Sequence, residues 1–219
     1  MIRALVFDFD GLILETEEPD YLAWQELYRD HGADLPVEVW CECIGRSLDW
    51  FDPIARLEEE VGRPLDRAAL RDWHRRRHME LIEAGMTLSG VEAYLAEARQ
   101  RGLPVAIASS SQAAWVTGHL ARLGLADGWA CIRCWSEGER AKPEPDLYLS
   151  ALEHLEVAPE EAIAFEDSPN GVRAAKRAGM WCVAVPNPLT RTLDLSAADL
   201  RLDSLEQMPL ADVIGLFSS

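Results

Sequence analysis

The chain has 219 residues, 48% of them hydrophobic and 27% charged, which is the mix of a globular protein with a sizeable core and not of a disordered or fibrous one. A net charge of −17 and a pI near 4.6 repel nucleic acid and anionic membrane surfaces at long range. No apolar run approaches the length that crosses a bilayer, so neither nucleic acid nor membrane is expected as a partner, and an anionic substrate would need a local positive site.

The opening "MIRALVF" predicts a buried strand at 2–7 that runs straight into Asp8, Asp10 and Gly11. It lacks the longer apolar stretch and small-residue cleavage site of a secretory signal, so a cytoplasmic location is expected. From 15 to 84 there is no strand signal; "EEPDYLAWQELYRDHG", "PVEVWCECIG", "SLDWFDPIARLEEEVG" and "DRAALRDWHRRRHMELIEAG" read as successive helices with glycine stops, and Ser47 and Asp66 as N-caps. Trp24, Trp40, Trp50 and Trp73 read as the core of this insertion, although Trp24 and Trp50 also suit a cleft lining. The basic stretch 71–80 reads as a solvated helix face. Within it His74 and His78 have metal-ligand spacing, but no third ligand is recognisable and the arginines between them disfavour a cation.

Beyond the insertion the pattern becomes regular. Strands are predicted at 103–108, 130–134, 161–165 and 181–185, alternating with helices near 90–101, 112–123, 145–156 and 169–178, with Pro145 and Pro169 in first-turn positions. The fold class is therefore α/β: a Rossmann-like parallel sheet with helices on both faces, formed by 1–14 and 85–219, carrying an all-α helical-bundle domain at 15–84. The five cysteines, Cys41, Cys43, Cys131, Cys134 and Cys182, fit free thiols in a reducing compartment. Cys131 and Cys134 form a C-x-x-C, but on a strand an i, i+3 pair points to opposite faces, which disfavours a redox pair.

In an open parallel sheet a ligand sits outside the carboxyl ends of the strands. Asp8, Asp10 and Gly11 follow the first strand, Ser109, Ser110 and Ser111 the second, Lys142 the third after a loop, and Glu166 and Asp167 the fourth. Acidic residues gathered on one edge repel one another unless a cation neutralises them, and hard oxygen ligands select Mg²⁺. Ser109 and Lys142 add a hydrogen-bond donor and a compact positive charge, so the set points to phosphoryl transfer. Singly, each residue has a plainer reading: a turn-capping Asp, a serine run capping the next helix, a solvated loop lysine.

These residues, "DFDG" at 8–11, Ser109 closing a strand, Lys142 in "KPEPD" and "EDS" at 166–168, resemble in that order the motifs of the haloacid dehalogenase superfamily of phosphotransferases. The insertion directly after the first motif resembles the cap of the branch that includes β-phosphoglucomutase and small-metabolite phosphatases. The resemblance implies that Asp8 is the nucleophile and Asp10 the general acid and base. It implies Mg²⁺ held by Asp8, the main-chain carbonyl of Asp10 and Asp167, with Glu166 as ligand or support. Ser109 and Lys142 would bind the phosphoryl oxygens, and Gly11 would permit the turn. Ser110, Ser111, Trp24, Gly45 and Arg46 are further candidates for contact with substrate.

Two of the 21 basic residues are lysines, Lys142 and Lys176, and neither lies in the insertion, which excludes a phosphonoacetaldehyde hydrolase with its Schiff-base lysine. Asp10 argues against a true dehalogenase, which has no alkoxide to protonate. Between phosphatase and mutase, "AW" at Trp24 and "GR" at Gly45 and Arg46 resemble the mutases. Asp20, where they carry histidine, Gln112, where they carry a basic residue, and Glu15, where aspartate is usual, depart from them. The expected protein is a Mg²⁺-dependent phosphatase of a small phosphorylated metabolite, a sugar phosphate included, and a monomer. A phosphosugar mutase is the alternative, and a binding module that lost turnover a more distant one. Hinges are expected near 14–16 and 85–89.

Overall fold

A computed structural model describes residues 1–41, 51–138 and 140–218. The chain divides into two compact units, Met1–Leu14 with Met86–Ser219, and Glu15–Gly85.

The first unit is built on a parallel sheet. Its strands are β1 (Ala4–Phe7), β2 (Val105–Ser109), β3 (Cys131–Cys134), β4 (Ala162–Glu166), β5 (Trp181–Ala184) and β6 (Leu200–Arg201). Their order is β3-β2-β1-β4-β5-β6, so the first strand in the chain is central in space. The register pairs Phe7 with Ile107 on one side and with Phe165 on the other.

The two faces of the sheet are packed differently. On one face Ala4, Val6, Ala106, Ala108, Ala162, Ala164, Cys182 and Ala184 form a single buried cluster with residues of α7 (Asp146–Leu155) and α8 (Pro169–Arg177). Alanine in a strand is a poor β-former, but here its small side chain lets two helices lie close to the sheet. The other face carries larger groups, with Phe7 stacked on Phe165 at 4.7 Å and Tyr94 edge-on to Phe165 at 5.5 Å. Tyr94 belongs to α5 (Val91–Gln100), and α6 (Ala113–Arg122) and α9 (Leu210–Leu216) complete the α-helices of this unit among the described residues.

The predicted strands and helices of this unit are present within one or two residues of their expected bounds. Pro169 is the first residue of α8, whereas Pro145 precedes α7 as its N-cap. Missing from the sequence reading are β6 and α9: two strand residues are too few to show a period, and α9 spans barely two turns.

The second unit contains α1 (Glu17–Asp30), α2 (Val37–Cys41), α3 (Pro53–Val61) and α4 (Arg67–Glu83), with no strand among its described residues. Asp66 caps α4 by accepting from the Ala69 N–H. Ser47 lies outside the described residues, and α3 is capped by Asp52, whose carboxylate accepts from the N–H groups of Ile54 and Ala55. The seam between α1 and α4 is aromatic and charged. Trp24 stacks on His74 at 3.9 Å, His74 meets Asp20 at 3.0 Å, and Arg77 forks onto Glu26 at 2.7 and 2.9 Å. Arg75 and Arg76 of the basic stretch are exposed.

Phe165 is fully buried between Phe7 and Tyr94. Its truncation to alanine opens a cavity at the centre of the sheet and is expected to cost about 3–5 kcal/mol. The check is the shift of the urea midpoint for unfolding of the sheet unit; a loss below about 1 kcal/mol would show that the helices collapse onto the gap.

Candidate active site

The site forms where β1, β2 and β4 end side by side. The Asp8 N–H donates to Phe165 O at 3.0 Å, which continues the β1–β4 pairing one residue past the strand. The chain then turns, with Ile13 N–H donating to Phe9 O at 2.9 Å and Gly11 N–H to Leu14 O at 2.8 Å. Asp8 and Asp10 therefore flank the buried Phe9 just past the end of β1, Asp8 still paired to β4 and Asp10 leading into the turn. Gly11 is required twice over. Its φ of +72° lies where L side chains are strained, and a Cβ there would stand 2.3 Å from Asp167 Oδ2.

Asp8, Glu166 and Asp167, all buried, bring one carboxylate oxygen each to within 4.8 Å of one another. Lys142 Nζ lies 2.7 Å from Asp8 Oδ1 and 2.6 Å from Glu166 Oε1. Tyr148, on α7, donates its hydroxyl to the same Glu166 oxygen, and Asn187 donates Nδ2–H to Asp167 Oδ2 at 2.8 Å. Burial first, and then the charge of Glu166, push the Asp8 carboxyl up to about 8 against the lowering pull of Lys142. Burial works against the Lys142 ammonium, yet Asp8 and Glu166 outweigh it and carry its pKa above the ordinary lysine value.

One lysine cannot balance three buried carboxylates, and Glu166 Oε2 is buried without a hydrogen-bond partner among the described residues. An all-oxygen donor set with an orphaned carboxylate oxygen fits a hard divalent cation. The glycine of α8 belongs to the same cradle. A Cβ on Gly171 would fall 1.7 Å from that Glu166 oxygen.

The other residues gather around Asp10. Ser111 Oγ donates to Asp10 Oδ2 at 2.6 Å, and Ser109 Oγ lies 3.4 Å from the same oxygen while accepting from the Ser111 N–H at 3.0 Å. Trp115 donates its indole N–H to Asp10 Oδ1 at 2.8 Å. The serines do not cap α6: that helix begins after Gln112 and has no side-chain cap. Ser110 turns elsewhere, accepting from the Lys142 N–H at 3.3 Å.

Of the residues singled out in the sequence, Asp8, Asp10, Gly11, Ser109, Ser111, Lys142, Glu166 and Asp167 thus come together, and Ser110 holds the Lys142 backbone. Trp24 is buried in the helical unit against His74, while Gly45 and Arg46 lie outside the described residues. Glu15 acts locally, its Oε1 accepting from the Glu17 and Glu18 N–H groups, each at 3.0 Å, at the start of α1. Asp20 pairs with His74. Sequence reasoning does not find Trp115, Tyr148 or Asn187. Of the three, Trp115 alone carries a signal, an aromatic four residues past the serine run.

Residues 5–185 match the family model of the haloacid dehalogenase-like hydrolases, and the chain belongs to that family. It is 47% identical to Bacillus subtilis YhcW, a protein named as a phosphatase, over 96% of both chains. The crystal structure of CbbY from Rhodobacter sphaeroides in complex with phosphate is similar at 32% identity and a TM-score of 0.75, covering 96% of this chain and 98% of that one. A variant of CbbY in complex with xylulose-(1,5)bisphosphate gives 30% identity and the same TM-score of 0.75, over 96% and 98% of the two chains.

A carboxyl held above its unfolded value binds its proton more tightly in the folded state, so the stability it contributes is lost as pH rises through the window. For Asp8 that window runs from 3.8 to about 8. In EDTA the wild-type melting temperature is expected to fall across it more steeply than that of Asp8→Asn, and the two profiles are compared by scanning calorimetry. Parallel profiles would reject the assignment of the shift to Asp8.

Proposed function

We propose that the protein is a Mg²⁺-dependent phosphatase that hydrolyses a small phosphorylated metabolite, a sugar phosphate among the candidates, through a phosphoryl group carried on Asp8. The observation that carries this reading is the placement of Lys142 Nζ 2.7 Å from Asp8 Oδ1 inside a cluster of buried carboxylates. The names and ligands of the similar proteins, one named as a phosphatase and one crystallised with phosphate and with a sugar bisphosphate, support the same substrate class.

In this scheme Asp8 attacks phosphorus and the bond to the leaving oxygen breaks as Asp10 donates its proton to that oxygen. Water then attacks the aspartyl-phosphate, Asp10 takes its proton, and the P–O bond to Asp8 breaks to release phosphate and restore the carboxylate. Lys142 and Ser109 bind phosphoryl oxygens and steady the charge that builds on them. Asp8, Glu166, Asp167 and the Asp10 carbonyl would hold Mg²⁺, which when bound supplies Lewis-acid polarisation of the phosphoryl oxygens and keeps Asp8 ionised. Asn187 and Gly11 keep Asp167 in place as a ligand, and the helical unit 15–84, as a cap domain, sets which ester is accepted.

The mutase alternative is not favoured. Asp20, which stands where the mutases carry histidine, is engaged with His74, and Gln112 offers no charge for a second phosphate.

Asp8→Asn is expected to bring phosphate release from p-nitrophenyl phosphate to background with the circular-dichroism spectrum intact. EDTA should abolish the wild-type rate and added Mg²⁺ restore it. A rate indifferent to EDTA would remove the metal from the scheme, and a hexose 1-phosphate isomerised without phosphate release would favour the mutase. A panel of phosphorylated metabolites assayed for phosphate release then ranks the substrates.

A further inference from the structure

The Asp10 carboxyl sits on a turn, and a short side chain there would rotate freely unless something held it. Two donors do. Ser111 Oγ reaches one oxygen at 2.6 Å and the Trp115 indole N–H reaches the other at 2.8 Å, so contacts at both oxygens fix both side-chain torsions. The donors come from a single stretch of five residues leading into α6. Trp115 is itself braced one helical turn further on, edge-to-face with the buried His119 at 4.4 Å and 75°, and His119 in turn faces the buried Phe9 at 6.4 Å.

The chemistry of the two donors differs. A serine hydroxyl can donate or accept, whereas an indole N–H only donates and neither gains nor loses its proton in the working range of an enzyme. Trp115 can therefore orient a carboxyl that passes a proton back and forth without competing for that proton. A lysine in its place would pin Asp10 as the anion and remove the acid.

We propose that Trp115 is a positioning residue for catalysis, its indole N–H setting the direction in which Asp10 presents its proton to the leaving oxygen. The proposal rests on the phosphatase reading above. Its signature is a defect that grows with the basicity of the leaving group, because nitrophenolate departs without protonation and phenolate needs it more.

The test compares p-nitrophenyl phosphate with phenyl phosphate, esters of nearly the same shape, through kcat/KM, which reports the first phosphoryl transfer. Trp115→Phe is expected to lower kcat/KM about tenfold or more for phenyl phosphate and less than about threefold for the nitrophenyl ester. In an Asp10→Asn background the same substitution should change neither, since the group it orients is gone. An equal fall on both esters, a fall that persists beside Asp10→Asn, or no fall on phenyl phosphate would overturn the proposal and leave Trp115 a packing residue.

Should Trp115→Phe not fold, Trp115→Gln and Trp115→Leu replace it, similar in size with the donor kept in one. Glutamine must exceed leucine on phenyl phosphate and match it on the nitrophenyl ester, and equal rates on phenyl phosphate overturn the proposal. Wild-type protein that hydrolyses neither ester would instead remove the phosphatase reading, and this inference with it.

Discussion

Three carboxylates buried around one lysine are the constraint to which the rest of this sheet domain answers. Moving a carboxylate out of water costs several kcal/mol even after the surroundings relax, and Asp8, Glu166 and Asp167 do so together. Lys142 and Tyr148 both serve Oε1 of Glu166, and Oε2 has no hydrogen-bond partner among the described residues. An all-oxygen donor set of this kind fits a divalent cation, which would relieve the imbalance. Gly11 and Gly171 make the room: either with a side chain would place carbon against a carboxylate oxygen.

The two-faced sheet is what brings these groups to one edge. Its alanine face admits α7 and α8 closely enough for Tyr148 and Gly171 to touch Glu166, while its aromatic face supports the strands from behind. Because β1 lies between β2 and β4, the residues that follow these three strands become neighbours although about a hundred positions or more separate β1 from either partner in the chain. A parallel sheet joins its strands by crossovers that are right-handed almost without exception, which narrows the arrangements open to such a chain.

Much of this could be read from the amino-acid sequence, and the reason is physical. Buried parallel strands announce themselves as short apolar runs, and the motif residues sit directly where those runs stop, so Asp8, Ser109 and Glu166 can be placed at strand ends from the sequence alone. Contacts that join distant parts of the chain cannot. Nothing in "DLYLSALEHL" tells that Tyr148 meets Glu166, or in "VPNPLT" that Asn187 holds Asp167, because side-chain partners depend on helix rotation and loop path. Some local departures become readable only in the folded chain: Glu15 departs from the usual aspartate and serves the start of α1.

The central place of β1 has a consequence for how the molecule is made. Its four residues leave the ribosome well before the segments they pair with, Val105–Ile107 and Ala162–Phe165. At translation speeds of roughly 5–20 residues per second, the strand "ALVF" waits on the order of ten seconds before its second partner exists. Until β2 follows it out, this wholly apolar segment has no mate, and only long-range loop closures can supply one. The helical unit, whose α1 and α4 lie much nearer in the chain, can gather itself meanwhile. Assembly of the catalytic edge is thus deferred until β4 has been made, and the nascent first strand is where a chaperone would have most to shield.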